Sequence, residues 1–455
     1  FPPLDMSCKL HSPLCGSLLS LYINSRYWKE LGSNIHRNYS YDHVHVPQFR
    51  STEEAADLFA LKQLGFIYSR IGNPTTDVLE KRMSLLQGAP SELSGLGLAS
   101  GTNAVFYSII NCAQVGDNII SARQLYGGTF TQFNDILPSM GIEVRFVDVN
   151  DPEAFVRAAD EKTRAFFCEA VSNPSLDIAD MKALADAAHS QGLPLIVDDT
   201  FTTPALQRPG DYGADVVVSS LTKWAGGHGT GIGGCVVDMG SFDWGTEKHP
   251  LFSEPDKSYG GIRWGLDLPK TGVPPPYILR MRVVPLRNLG GVLSPDDSWM
   301  FLQGLETLHF RMERHCANCR VVAEFLADHP KVEWTRYPGL ENDPMHSLQQ
   351  EYLKGKGGPL VVFGIRGGKQ AGQDFIDSLK LFSHVANVGD AKSLAIHPAS
   401  TTHSQMSDKQ QEDCGIPPGL VRLSVGLEHP DDIIRDLTQA LESVDVENYA
   451  LELAP

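Results

Sequence analysis

The sequence predicts an α/β fold with a mostly parallel central sheet, covered by helices, and a smaller C-terminal α/β domain. Continuous apolar runs such as Leu195–Val197 and Ala214–Val218 are typical of strands that are buried on both faces of a sheet. Helical patterns such as Met181–Gln191 separate these runs, which is the order of βαβ units. The length of 455 residues is enough for two domains with a large core.

The elements before these runs are predicted from helix caps and apolar patterns. A helix over Ala55–Leu64 precedes a turn at Asn73-Pro74, after which Thr75 is the predicted cap of a helix over Thr76–Leu86. The next predicted elements are the helix Ala104–Ala113 and the strands Asn118–Ala122, Val144–Val149 and Ala165–Cys168. Helices and strands therefore alternate through this part of the chain.

A long Pro- and Gly-rich stretch, Phe242–Pro276, follows a predicted strand over Cys235–Asp238. Structural loops of this length are uncommon, so we expect a lid or an interface there. Helical patterns over Trp299–Leu308 and Glu313–Asp328 then lead to a strand over Leu360–Ile365. The predicted domains are an atypical N-terminal arm over residues 1–62, a large domain over residues 63–298 and a small domain over residues 299–455.

The composition favours a protein that binds small molecules. A net charge of −17 argues against nucleic acid and anionic membranes as partners. No apolar run in the sequence reaches the ~20 residues that a membrane span needs. The eight cysteines follow no repeating pattern, as expected of reduced thiols in a cytoplasmic enzyme. One CxxC, Cys316–Cys319, lies in a predicted helix without a second ligand pair, so no metal site is predicted.

Polar side chains follow the two apolar runs named first. They are Asp198 and Asp199 after the first run, and Ser220, Thr222 and Lys223 after the second. In parallel sheets, ligands bind beyond the carboxyl ends of the strands. A lysine, a carboxylate and two hydroxyls in one place suit pyridoxal 5'-phosphate (PLP), because they can form a Schiff base, hold the pyridinium proton and bind phosphate.

The glycines of Gly229–Gly234 offer a competing interpretation, since they match the GxGxxG pattern of dinucleotide-binding loops. That pattern must follow a strand and open a helix. Here the glycines follow the lysine turn and lead into the predicted strand Cys235–Asp238. We therefore reject the dinucleotide interpretation.

The segment Ser220–Gly234, SLTKWAGGHGTGIGG, resembles the Cys/Met-metabolism family of PLP-dependent enzymes and, within it, the O-acetylhomoserine sulfhydrylase branch. The similarity runs from about Val46 to the C-terminus. The resemblance implies the fold type I of PLP-dependent transferases, with PLP bound by the large domain. It also implies a cytoplasmic homodimer or homotetramer with shared active sites.

The resemblance further implies which residues form the site. The predicted catalytic residues are Lys223, Tyr126 and Asp198. The predicted cofactor-binding residues are Tyr68, Arg70, Ser100, Gly101, Thr102, Tyr126, Asn173, Asp198, Ser220, Thr222 and Lys223. The predicted substrate-binding residues are Asn387 and Arg422.

The chemistry of these residues agrees with the roles that the resemblance implies. Arg70, in a YSRxxNPT motif with Tyr68, would reach the cofactor phosphate of the partner subunit, and the planar fork of arginine suits phosphate. Tyr126 would stack on the pyridine ring, and Asn173 would bind the phenolic oxygen. Arg422 lies in an apolar run, where burial is costly without an anion, and would bind the substrate carboxylate.

The predicted reaction is γ-replacement on an O-acyl-L-homoserine. O-acetyl-L-homoserine would release acetate and accept sulfide or a thiol, with Lys223 moving protons as a general base. Thr102 and Asp199 depart from the family, which usually has Met or Gln and commonly Asn there. If Asp198 and Asp199 are both buried, one of the two pKa values rises, and a cationic partner near the site is favoured.

Two alternatives remain open at this point. In the first, an amine such as an amino acid, or a carbon nucleophile, attacks the same substrate in secondary metabolism. In the second, the protein is a catalytically silent PLP-fold subunit with a binding or structural role.

Overall fold

The computed structural model describes residues 49–269, 273–401, 404 and 417–445. Most of the predicted N-terminal arm, residues 1–48, lies outside the described residues. Within the described part, strands and helices alternate and build a mostly parallel sheet, and a second sheet follows toward the C-terminus. The predicted fold class is therefore confirmed. The predicted domain boundaries at residues 62 and 298 stay predictions.

The larger sheet has seven strands in the described part of the chain. They are β1 (Gly95–Leu98), β2 (Asn118–Ala122), β3 (Glu143–Val147), β4 (Thr163–Glu169), β5 (Leu195–Asp198), β6 (Val216–Ser220) and β7 (Gly234–Asp238). Their order across the sheet is β1-β7-β6-β5-β4-β2-β3. Strand β7 runs antiparallel to β1 and β6, and the other neighbours are parallel. Strands β2, β4, β5 and β6 are buried almost throughout, which explains their continuous apolar sequences.

The smaller sheet has five strands among the described residues. They are β8 (Val332–Arg336), β9 (Leu360–Ile365), β10 (Ser383–His384), β11 (Leu394–Ile396) and β12 (Leu420–Ser424). Their order is β10-β11-β12-β9-β8, and β10 and β11 form the one parallel pair of this described sheet. This sheet contributes to a second hydrophobic core, in which Phe363 of β9 packs with residues such as Val322, Phe375 and Leu437.

The helices of the described residues surround these sheets. They are α1 (Thr52–Phe59), α2 (Pro74–Leu86), α3 (Gly101–Ile110), α4 (Gly127–Thr131), α5 (Leu137–Ser139), α6 (Pro152–Ala158), α7 (Met181–Ser190), α8 (Thr203–Leu206), α9 (Pro250–Ser253), α10 (Pro276–Met281), α11 (Arg287–Leu289), α12 (Pro295–Glu306), α13 (Leu308–Ala327), α14 (His346–Tyr352), α15 (Gly368–Ser378) and α16 (Pro430–Ser443). No helix in the described ranges combines the length and the hydrophobicity needed to cross a membrane.

Several predicted helix ends are wrong: α3 is Gly101–Ile110 and not Ala104–Ala113, α12 is Pro295–Glu306 and not Trp299–Leu308, and α13 is Leu308–Ala327 and not Glu313–Asp328. Two further errors have a clear local cause. The cap of α2 is Asn73 instead of Thr75, because the Asn73 side chain accepts a hydrogen bond from the backbone N–H of Thr75 at 2.9 Å. Pro74 then occupies the first turn, where its missing N–H costs nothing. Helix α1 ends at Phe59, before the predicted Leu64, and Leu61 has a left-handed φ of 57° that no helix continues through.

The stretch Phe242–Pro276 has more structure than its composition predicts. It contains α9 and a single 3₁₀ turn at Lys257–Tyr259, and the side chains of Trp244, Phe252 and Trp264 are buried in the main core. Residues 270–272 lie outside the described residues. The stretch is thus largely a packed part of the fold, and its role as a lid or an interface stays a prediction.

Candidate active site

Three neighbouring strands end side by side and place the central residues of the site. Glu169 at the end of β4 lies opposite Asp198 at the end of β5, and Asp198 lies opposite Val218 in β6. Strand β6 then ends at Ser220 and continues into a π-helical turn, Leu221–Ala225, that contains Lys223. The parallel register therefore brings the predicted acid and the predicted lysine to one edge of the sheet.

Lys223 is partly buried and its amine is held by a neutral partner. Its Nζ donates a hydrogen bond to Oδ1 of Asn387 over 2.5 Å. Burial, with the nearby Arg422 guanidinium as a smaller cause, lowers the pKa of Lys223 to about 8. A large fraction of this amine is therefore neutral near pH 8, which a lysine needs in order to act as a nucleophile or a base.

Arg311 of α13 holds the turn that carries Lys223 through hydrogen bonds to the backbone of the turn. Sequence reasoning missed this residue. The Arg311 guanidinium donates to the backbone oxygens of Trp224 (2.7 Å), Ala225 (3.2 Å) and Gly304 (2.7 Å). Burial lowers the pKa of Arg311 to about 10. A signal was present, because Arg311 lies on the face of α13 that also carries the buried residues Leu308 and His315.

Asp198 is connected to the lysine strand through Thr200. Its Oδ1 accepts a hydrogen bond from the backbone N–H of Thr200 at 2.9 Å, and the Thr200 hydroxyl accepts one from the backbone N–H of Ser220 at 2.8 Å. Burial raises the pKa of Asp198, while the hydrogen bonds from Thr200 oppose that rise. Asp198 as a whole residue is only partly buried, so this end of β5 is open to a ligand.

The predicted phosphate-binding residues form the start of α3 and the end of β6. Ser100 is the N-cap of α3, and its hydroxyl accepts a hydrogen bond from the backbone N–H of Asn103 at 3.0 Å. Gly101 lies so close to Ser220 that a Cβ atom on it would be 2.5 Å from the Ser220 Cβ. Glycine is therefore required where helix and strand meet, and the free N–H groups of the helix start suit an anion.

Thr222 and Thr102 differ in how they are held. The Thr222 hydroxyl accepts a hydrogen bond from the backbone N–H of Gly233 at 3.0 Å, which closes the loop after the lysine turn. Thr102, the second residue of α3, is exposed and accepts a hydrogen bond through its backbone oxygen from Gln132 at 3.4 Å. The Thr102 side chain is therefore available to whatever enters the site.

Arg422 of β12 has the surroundings expected of a carboxylate-binding residue. Its Nη1 donates to Oδ1 of Asn173 at 2.9 Å and its Nη2 donates to the backbone oxygen of Asn387 at 3.4 Å, while its buried Nε has no partner. Burial lowers the pKa of Arg422 to about 10, and the nearby Tyr126 hydroxyl partly offsets that effect. A guanidinium whose partners are neutral, and whose Nε has no hydrogen-bond acceptor, lacks a counter-ion that a carboxylate would supply.

Tyr126 and Asn173 begin two loops that meet at Glu169. The backbone N–H of Tyr126 donates to Oε1 of Glu169 at 2.7 Å, and the backbone N–H of Asn173 donates to Oε2 at 3.2 Å. Tyr126 is 51% exposed, so its ring is open to contact with a ligand. Asn173 is buried.

Tyr68 and Arg70 are the predicted site residues that the single chain does not bring to Lys223. Both are exposed, and the Arg70 guanidinium lies 5.4 Å from the centre of the Tyr68 ring. Arg70 donates a hydrogen bond to the backbone oxygen of Arg287. Among the described residues, neither Tyr68 nor Arg70 has a hydrogen bond to the residues around Lys223. Their role in the site of a partner subunit stays a prediction.

Asp199 faces away from the site, and this corrects the expectation of a cationic partner. Its carboxyl accepts hydrogen bonds from the Gln87 amide at 2.5 Å and from the Ser219 hydroxyl, and it is fully buried. Successive side chains of a strand point to opposite faces, so Asp198 and Asp199 separate at the end of β5. The pKa of Asp199 is indeed raised, to about 7, but burial is the main cause and the charge of Asp198 is a minor one.

The residues present fit PLP. Four features lie around one edge of the sheet. They are a partly buried lysine with a lowered pKa, a partly buried acid, a helix N-terminus against Ser220, and an arginine whose Nε has no hydrogen-bond partner. No group of three or more metal-ligating side chains occurs in the part of the chain that the structure describes.

Known proteins are similar to this chain over most of its length. A model of the family described as Cys/Met metabolism PLP-dependent enzyme matches residues 32–442. An O-acetyl-L-homoserine sulfhydrylase from Leptospira meyeri is 48% identical over 401 residues, which cover 87% of this chain and 90% of the relative. A homocysteine synthase from Schizosaccharomyces pombe is 44% identical over 397 residues, which cover 87% and 91%.

A solved structure is similar as well. It is a crystal structure described as a candidate O-acetylhomoserine (thiol)-lyase from Campylobacter jejuni, and it contains an N'-pyridoxyl-lysine-5'-monophosphate residue. The two chains are 39% identical, with a TM-score of 0.83, over 88% of this chain and 93% of the other. Together with the family match, this similarity confirms PLP as the cofactor.

Proposed function

The chain belongs to the Cys/Met-metabolism family of PLP-dependent enzymes, and we propose on that premise that it catalyses γ-replacement on O-acetyl-L-homoserine. Acetate leaves the γ-carbon, and sulfide or a small thiol takes its place. The observation that carries the proposal is the contact of Lys223 with Asn387, which also contacts Arg422. A lysine with a nucleophilic amine beside an arginine that can bind a carboxylate is the arrangement that PLP chemistry on an α-amino acid requires.

Each residue of the proposed site has its own role in the reaction. Arg422 holds the α-carboxylate of the substrate, and Asn387 orients both Arg422 and the amine of Lys223. Lys223 takes the proton from the α-carbon, and its lowered pKa keeps a neutral form available for that step. Asp198 holds the proton on the ring nitrogen of the cofactor. PLP, when bound, supplies the electron sink that makes the α- and β-protons acidic.

Acetate release from O-acetyl-L-homoserine, measured with sulfide, methanethiol and a mixture of amino acids, tests the proposal. We expect turnover that depends on sulfide or thiol and yields homocysteine or its thioether. Lys223→Ala is the matched control, because it removes the amine and leaves the fold of the turn to its backbone contacts. Acetate release that needs an amino acid, with an amine product and without response to sulfide, would refute the proposal.

The two alternatives have less support. The amine nucleophile was favoured by a second carboxylate in the site, but the Asp199 carboxyl is bonded to Gln87 and Ser219 on the other face of the strand. A catalytically silent subunit would not need an arginine with a free Nε next to a lysine with a lowered pKa.

We further propose that the enzyme is a cytoplasmic homodimer or homotetramer whose subunits share their sites. The exposed positions of Tyr68 and Arg70 support sharing, because a second subunit is needed for them to contact a cofactor phosphate. Five cysteines of the described residues are buried free thiols, which supports a reducing compartment.

A further inference from the structure

Glu169 contacts two of the loops that form the site. It ends β4 and is 6% exposed. Each of its carboxylate oxygens accepts one backbone hydrogen bond, from Tyr126 at 2.7 Å and from Asn173 at 3.2 Å. A carboxylate that is occupied in this way by backbone donors holds both loops at a fixed distance from β4.

One of the two loops carries a residue that is predicted to contact the cofactor, and the other carries a residue that contacts Arg422. Tyr126 is the residue before α4, and its ring is the one predicted to cover the cofactor. Asn173 accepts the hydrogen bond of Arg422 Nη1 at 2.9 Å, and Arg422 in turn contacts the backbone of Asn387. A displacement of the Asn173 loop would therefore move the guanidinium that is proposed to hold the substrate carboxylate.

Glu169 is also the cross-strand neighbour of Asp198. In parallel strands, residues in register point to the same face, so the two carboxyl groups lie next to each other. Burial and the charge of Asp198 raise the pKa of Glu169, and only the two backbone N–H groups oppose them. A raised pKa favours the neutral form of Glu169, so Glu169 contributes its two backbone hydrogen bonds beside Asp198 and not a second negative charge.

We propose that Glu169 is a positioning residue that joins the cofactor site to the substrate site by holding the Tyr126 and Asn173 loops against β4. This inference rests on the proposed function, since it assigns a role within that same site. It requires that a change at Glu169 weaken PLP binding and amino acid binding together.

The variant Glu169→Gln tests this role. Glutamine keeps the length of the side chain and one acceptor oxygen, but it places an NH₂ group against one of the two backbone N–H donors. A buried N–H donor that loses its acceptor costs about 10- to 100-fold in an equilibrium constant. We expect the affinity of the apoprotein for PLP to fall by about that factor, and KM for the homoserine ester to rise about 10-fold while KM for sulfide stays unchanged.

Asp436→Asn is the matched control for lost stability. Asp436 of α16 is a buried carboxylate that accepts backbone hydrogen bonds from Lys380, Leu381 and Phe382, and none of these partners is a predicted site residue. The same chemical change there should lower the unfolding temperature and leave PLP affinity and both KM values as in the wild type.

The outcomes separate the role of Glu169 from a merely structural one. If Glu169→Gln behaves as Asp436→Asn does, with wild-type PLP affinity and kinetics, the proposal is overturned. If Glu169→Gln does not fold, Glu169→Asp is measured, which keeps the carboxyl group but is one methylene too short to reach both donors. A folded Glu169→Asp protein with unchanged PLP affinity also overturns it. PLP affinity is measured without substrate, so an enzyme that does not release acetate refutes the function and not this inference.

Discussion

Asp199→Asn is expected to stabilise the protein at alkaline pH and to have a much smaller effect at acidic pH. Asp199 is fully buried, and its partners, Gln87 and Ser219, are neutral. Burial raises its pKa from 3.8 to about 7. Above pH 7 the folded protein therefore contains a buried carboxylate without a cation among these partners.

The direction and the size of this change in stability follow from the linkage between proton binding and folding. A group whose pKa is raised in the folded state contributes stability that is complete below the pKa of the unfolded chain and is lost as pH rises through the folded value. The difference between 3.8 and about 7 corresponds to ~4 kcal/mol of unfolding free energy at pH 8. Asparagine is neutral at every pH and can donate to the buried Gln87 Oε1, which has no partner in the wild type.

Urea unfolding followed by tryptophan fluorescence at pH 5 and pH 8 measures the effect. At pH 8 the gain should approach ~4 kcal/mol, and at pH 5 it should be about a third of that. Asp186→Asn is the control, because the Asp186 side chain is 72% exposed and its substitution should change stability by less than about 0.5 kcal/mol at either pH. An Asp199→Asn protein that is equally or less stable at pH 8 would refute this reasoning.

Two further substitutions test individual contacts. Arg422→Met keeps the side-chain volume and removes the guanidinium, so KM for O-acetyl-L-homoserine should rise about 10- to 100-fold in steady-state assays, and an unchanged KM would remove Arg422 from the carboxylate site. Gly227→Ala places a Cβ atom 1.9 Å from Arg311 Nη1 at a φ of 73°, and it should lower both the unfolding temperature and kcat. Gly192→Ala is its control, since Gly192 has a φ of 64° with nothing within 4 Å of the added atom, and an equal loss in both variants would show that Arg311 is not displaced.

The sheet could be predicted from the sequence because burial on both faces leaves a continuous apolar run. Strands β2 and β9 have the predicted bounds, and β5 and β6 extend past their predicted ends to Asp198 and Ser220. Those strand ends are polar because they form the site, so a prediction from hydrophobicity alone ends each strand too early. The identity of the cofactor could not come from periodicity, and it was predicted from the polar residue types after these strands and from the resemblance of the Ser220–Gly234 segment to a family.

Contacts between distant segments could not be predicted in the same way. The direction of the Asp199 side chain depends on the pleat of β5 and on Gln87, which is 112 residues away in sequence. The clamp by Arg311 joins α13 to a turn that precedes it by 86 residues or more. Each contact requires the fold to be known first, since one chain segment alone does not indicate which backbone oxygens its arginine will meet.

The most direct test of the account is to locate PLP on the chain. The PLP-loaded protein is reduced with sodium borohydride, digested with protease and analysed by mass spectrometry. We expect one modified peptide, with the phosphopyridoxyl group on Lys223, and no modified peptide from Lys223→Ala. A phosphopyridoxyl group on a different lysine of the wild-type protein, or on none, would contradict the assignment on which the proposed chemistry depends.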